Sequence, residues 1–349
     1  MHGRNGPAVR LVPWFLLLFL GLTVVLCTTL GPAPLGPGEV LAVLIKHLPF
    51  GGFLGHEGVS ETHETIVWQL RLPRVILAVL VGAGLASSGV VLQGLLQNPL
   101  ADPYILGISS GAALGAVLSM LLGAGAFALG IYAVPATAFA GGMATVLIVY
   151  RLAWAGGRLS VTALILAGIA VGSLLSAVTS YLMITSGQNV HHIFFWLMGG
   201  FAGRNWVHVR VLAPYVIGGL AVMAAFTRSL NVILLGEEPA AYLGINVEKL
   251  KLILIASATM VAAASVAVSG VIGFVGLIVP HAVRLVVGPD HRVLLPSAAL
   301  CGAIFTAAAD ALARTAASPQ EIPVGIITAL CGAPFFIYLL RKKRGEAGI

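Results

Sequence analysis

The residues of this chain that could do chemistry stand at the ends of apolar runs. Residues 273–284, GFVGLIVPHAVR, begin as membrane-grade apolar sequence and end in Pro280, His281 and Arg284, with Asp290, His291 and Arg292 close behind. A proline and ionisable groups are costly in lipid, so these residues suit transport better than anchoring. Covalent catalysis has little to work with, because no Ser/His or Asp/Asp arrangement occurs at helical spacing. An ion-coupled secondary transporter, the alternative class, needs a buried carboxylate relay. Only Asp102 and Asp310 lie near the ends of apolar runs, and no run carries an acid at its centre. Cys27, Cys301 and Cys331 lack CxxC or CxxH spacing and read as small buried hydrophobes, so no metal site is expected. The adjacent His191 and His192 would point to different sides of a helix and read as loop residues. His281 reads as a hydrogen-bonded structural histidine.

The elements that position these residues are membrane helices. Of 349 residues 59% are hydrophobic and 9% charged, which excludes a soluble enzyme. The net charge of +7 sits in loops between apolar spans, without the aromatic interleaving of a nucleic-acid surface, so no nucleic acid is expected. About ten spans are predicted, at Leu11–Leu30, Ile66–Gly94, Tyr104–Leu122, Ile131–Tyr150, Val161–Ile184, Val207–Phe226, Leu252–Val268, Val271–Val287, Val293–Leu312 and Pro323–Leu340. The first resembles a signal peptide but reads as a retained helix. Lys46, Arg71, Arg74, Arg204, Arg210 and Arg314 fall on one side and the rest of the 19 Lys and Arg on the other. That bias predicts cytoplasmic termini. Pro37–His47 is too short to cross and is expected at the outer interface, followed by a polar loop over residues 51–64. No repeat or linker divides the chain, so residues 1–349 read as one all-α membrane domain.

Two further patterns carry function. The hydrophilic stretch 228–251 contains Gly236, Glu237, Glu238, Pro239, Tyr242 and Gly244, with acids and a proline opening a short helix and a glycine closing it. A short helix on the cytoplasmic face offers a docking point for a soluble partner. In the span Val161–Ile184, Gly168, Gly172, Ser176 and Ser180 recur every four residues and form one small stripe. Such a stripe admits a neighbouring helix or faces a wet pathway. Gly111 and Gly115 form a GxxxG pair, read as packing.

Arg71-Leu72-Pro73-Arg74, Gln97-Asn98-Pro99 through Pro103, Gly107 through Gly111, residues 273–284, Asp290-His291-Arg292, and Glu321 through Gly325 with Gly332 through Phe336 resemble a known family. They are similar, in order and spacing over roughly residues 60 to 340, to the FecCD-type permease subunits of bacterial importers for iron-siderophores, haem and cobalamin. The resemblance implies a type II ATP-binding-cassette importer fold, with two copies of a ten-helix permease in the inner membrane. It also implies two separate ATPase subunits and a periplasmic or lipid-anchored substrate-binding protein. No Gly-Lys pair occurs, so the chain lacks the phosphate loop of such an ATPase, and ATP-Mg would sit on the partner. By resemblance, Arg71, Arg74 and Arg314 receive carboxylates of the binding protein, and Gly236–Gly244 is the coupling segment, with Glu237, Glu238 and Tyr242 as contacts. The span Val161–Ile184 corresponds to the pathway-lining helix, giving Gly172, Ser173, Ser176 and Ser180 a wet face and Ser160, Val161 and Thr162 its cytoplasmic entrance. Val161 departs from some members, which carry a hydroxyl residue there. The loop from Phe195 to Trp206 resembles cobalamin permeases more than siderophore or haem permeases.

Overall fold

The computed structural model describes residues 7–47, 60–123 and 129–346. Most of the expected polar loop over 51–64 lies outside them. The helices are α1 (Pro7–Thr29), α2 (Pro37–Lys46), α3 (Glu61–Thr65), α4 (Leu72–Leu95), α5 (Ile108–Leu122), α6 (Ala133–Ala153), α7 (Val161–Thr185) and α8 (Val190–Leu197). They continue with α9 (Trp206–Ala225), α10 (Thr227–Ile233), α11 (Glu237–Tyr242), α12 (Val247–Ser269), α13 (Val275–Val287), α14 (His291–Thr315) and α15 (Val324–Glu346). Among the described residues, seven helical stretches are long and apolar enough to span a bilayer, and α5, α13 and the first part of α15 are shorter apolar helices that bring the set to the expected ten. The amphipathic α2 lies between α1 and α3 as the sequence predicted.

Local chemistry sets the helix ends. Asn246 and Asp290 accept the amides of Lys249 and Arg292, both at 3.0 Å, and so open α12 and α14. Gly270 (φ 70°) and Gly288 (φ 85°) close α12 and α13, because a left-handed backbone is strained for any residue with a Cβ.

Packing separates centre from periphery. The most apolar windows of the spans containing α4 and α12 are each 78% buried within the chain, whereas that of α7 is 17% buried. Helix α4 packs against α9, α12, α13 and α14. Small residues allow these approaches: a Cβ at Gly82 would collide with the carbonyl of Gly302, and one at Gly302 with that of Gly82. Gly111 and Gly115 meet the backbone of α6 in the same way, which assigns the GxxxG pair to packing.

Candidate functional site

At the end of the bundle where α1 finishes and α4 begins, three arginines meet. Helix α1 leaves carbonyls without intrahelical partners at its C-terminus. Arg71 donates to the carbonyls of Thr28 (3.2 Å), Thr29 (2.8 Å) and Ala33 (2.6 Å). Arg314 donates to those of Cys27 (3.0 Å) and Leu30 (3.1 Å) and pairs with Asp310 at 3.1 Å. Both are buried caps of α1, so the carboxylates of a binding protein expected at Arg71 and Arg314 would have to compete with these contacts. A guanidinium can satisfy several orphan carbonyls at once, and here that geometry wins over exposure. Arg74 bridges Asp310 and Glu321, each at 2.9 Å, and its side chain retains 12% exposure. Asp310 is fully buried and receives both Arg74 and Arg314.

Beside this cluster opens a cavity of about 1070 Å³ whose walls include Arg74, His191, His192, Phe195, Arg204 and Glu321. The expected assignment of His191 and His192 to a loop is adjusted: both lie in α8, where the His191 ring meets Phe195 at a tilt of 53°, with centroids 4.7 Å apart. Burial pushes the Arg204 guanidinium below its usual range, and no carboxylate among the described residues pairs with it.

Helix α7 divides its small residues between two faces. Gly168 abuts the backbone of Ile105, Gly172 faces Gly107 and Ser110, and Ser176 Oγ lies 3.0 Å from Ser110 Oγ. Gly168 and Gly172 are therefore a seam with α5 and the turn before it, which occupies the wet face expected for Gly172, whereas Ser176 stays exposed beside its contact with Ser110. Ser173 and Ser180 lie on the exposed side, together with Leu166 and Ile169. Ser160 caps α7 by accepting the Ala163 amide at 3.3 Å, with Val161 half-buried and Thr162 exposed.

At the opposite end of the bundle, α11 is held by a short turn. Gly236 has φ 116° and packs on Pro239, and Gly244 has φ 83° just after the helix. Ala240 is buried, Tyr242 is 90% exposed, and Leu235, Glu238 and Leu243 are exposed beside it. Glu237 pairs with Lys251 at 2.7 Å. The preceding α10 is fastened to the core: Gln97 donates to the Ile233 carbonyl at 2.7 Å, and Asn231 bonds Asp290 at 2.7 Å and the His291 amide at 2.9 Å. The Asp290-His291-Arg292 motif therefore locks α14 to α10. Hydrogen bonds from Arg292 and Asn231 hold the Asp290 carboxyl down at about 2.

The sequence profile of the FecCD transport family matches residues 17–342. The chain belongs to the FecCD transport family. It is 51% identical over 290 residues to the cobalamin import system permease protein of Halobacterium salinarum, covering 83% of this chain and 77% of that one. It is 40% identical over 350 residues to the hemin transport system permease protein of Yersinia pestis, covering 99% of both. A solved metal-chelate type ABC transporter in an inward-facing conformation superposes with a TM-score of 0.82 at 34% identity, covering 95% of this chain and 99% of that one.

Within this FecCD-family permease, sequence reasoning gave no role to Glu321, read only as part of a motif, or to Asn231, Lys251 and Glu248. Glu321 and Asn231 are hydrophilic residues at the edges of apolar runs, a signal that could have marked them. Lys251 and Glu248 sit three apart on one helix, a spacing that allows an ion pair but gives no hint of the third partner.

Proposed function

We propose that this permease works as a homodimer in the bacterial inner membrane, carrying a metal chelate inward. A substrate-binding protein, free in the periplasm or lipid-anchored, would deliver the chelate at the cavity end. Two separate ATPase subunits, which hold the ATP-Mg, would drive transport from the α11 end. Both chain termini then lie in the cytoplasm. Cobalamin is the favoured cargo, on the loop from Phe195 to Trp206 and on the named function of the Halobacterium relative.

The observation that carries this reading is the patch of Leu235, Tyr242 and Leu243, exposed on and beside a short helix that lies outside the spans. Clustered apolar side chains of this kind are covered by a partner. Glu237, Glu238 and Pro239 then shape the edge of the contact. At the cavity end, Arg74 is the proposed docking cation, since a carboxylate of the binding protein could compete with Glu321 for its guanidinium. The weak burial of α7 favours a second copy across its Ser173 and Ser180 face, making the pathway a property of the pair.

Proteoliposomes containing the permease, its ATPase and its binding protein should import one of radiolabelled cobalamin, haem or a ferric siderophore only when ATP is supplied. Uptake that proceeds without ATP and collapses with a protonophore would overturn the proposal.

A further inference from the structure

We infer that Lys251 and Glu248 form an ionic strut that ties α11 to the foot of α7, making them positioning residues for energy coupling. The inference rests on the coupling role proposed for α11. Lys251 is the joint, with its side chain 3% exposed although it lies at the edge of a membrane span. Its ammonium contacts Glu237 Oε2 of α11 at 2.7 Å and Glu248 Oε1 of α12 at 3.4 Å. The other oxygen of Glu248 continues the chain of contacts by accepting the Leu159 amide at 3.1 Å.

Leu159 belongs to a two-stranded hairpin, Trp154–Ala155 against Arg158–Leu159, turned by Gly156 and Gly157 at φ 60° and 79°. Two successive left-handed residues make a tight turn whose geometry is set locally, so the hairpin can move as a unit. Ser160, the cap of α7, follows directly and donates its own amide to the Ala153 carbonyl at 3.2 Å. A path of named contacts therefore runs from α11 through Lys251, Glu248 and Leu159 to the first turn of α7. Charge-assisted hydrogen bonds are the strongest and most directional contacts available for such a joint. The buried ammonium also opposes loss of both carboxylates, because that would leave its charge unpaired.

Displacement of α11 is thus passed to the entrance of the pathway helix through side chains, in addition to the backbone of α12. Nitroxide labels at Arg158→Cys and Ala241→Cys, in a background carrying Cys27→Ala, Cys301→Ala and Cys331→Ala, would report the hairpin-to-α11 distance by pulsed EPR. With labelled permease diluted into unlabelled copies so that most dimers carry one labelled protomer, the assembled complex in nanodiscs should give one narrow distribution, both without nucleotide and trapped with ATP and vanadate. Lys251→Met and Glu248→Ala should each broaden it. They should also lower uptake per ATP hydrolysed by roughly fivefold or more, the lower range of coupling between sites, for whichever of cobalamin, haem and ferric siderophore the complex imports. Glu248 is half-buried, so Glu248→Ala tests the strut even where loss of the Lys251 ammonium impairs folding. Distributions that stay narrow in both variants, or broaden with undiminished uptake per ATP, would overturn the strut. Tyr242→Ala separates the two readings: if it leaves ATPase attachment and uptake intact, the docking role of α11 fails, whereas the distance readout still reports on the strut.

Discussion

Arg314 shows how a single side chain decides a local structure. Its guanidinium satisfies the Cys27 and Leu30 carbonyls and shares Asp310 with Arg74. Arg314→Met would strand two helix-end carbonyls and leave Asp310 to Arg74 alone, and a buried group left unpaired costs about 1–3 kcal/mol. Thermal unfolding in detergent should register that loss, and Arg314→Lys, which keeps a charged donor, should lose less. Arg74→Glu tests the docking proposal at the same end. It should weaken binding-protein association most at low salt, and a loss independent of salt would count against a carboxylate partner. Two carboxyl groups outside the spans shape the acid response. Hydrogen bonds hold Asp290 down at about 2 from an ordinary 3.8, so its contribution is complete above about 4 and is lost as pH falls through 2. Burial raises Asp102 from 3.8 to about 6, so its penalty at neutral pH is relieved as pH falls through that window. Unfolding measured from pH 7 to 2 should therefore steepen only below about pH 4, and Asp290→Asn should flatten that last segment.

Elements meet where side chains are absent. Gly302→Val would force a branched side chain against the α4 backbone and should cost about 1–3 kcal/mol of stability or more, the range for overpacking. Gly218 has nothing within 4 Å of a built Cβ, so Gly218→Ala should be neutral or stabilise by up to about 1 kcal/mol. Comparing the two variants by thermal unfolding separates close packing from helix propensity. Helix α11 presents the opposite case, a surface with no contact of its own. Tyr242→Ala should weaken ATPase attachment by about 2 kcal/mol if Tyr242 is an anchor, while membrane insertion is retained. Glu238→Lys should lower transport-coupled ATP hydrolysis without changing expression.

At the scale of the whole molecule, α7 is a membrane helix with most of its surface outside its own chain. A second copy would bury that face and enclose Ser173 and Ser180 between two permeases. Ser180→Cys in the cysteine-free background should therefore form an interchain cross-link in membranes, and Thr179→Cys, buried within the chain, should cross-link far less. Equal cross-linking at both positions would remove the distinction between the two faces.

The apolar spans and the short α11 were legible in the sequence, because hydropathy and the placement of acids, proline and glycine act over a few residues. The coupling stretch was readable for the same reason, since its acids, proline and glycines all lie within nine positions of Gly236. The direction of each arginine was not. Arg74 and Asp310 are 236 positions apart, and Arg71 reaches back 43 positions to Thr28, separations that no local periodicity records. Charge bias placed Arg71, Arg74 and Arg314 at one end of the bundle, but only the packed helices showed that two of them turn inward. The same holds for α7: spacing put Gly168, Gly172, Ser176 and Ser180 on one stripe, and the position of α5 decided how much of it is a seam. Composition and periodicity determine which segments enter the membrane, because each residue's transfer energy is its own. Which face each helix offers its neighbours is settled by contacts among helices far apart in the chain.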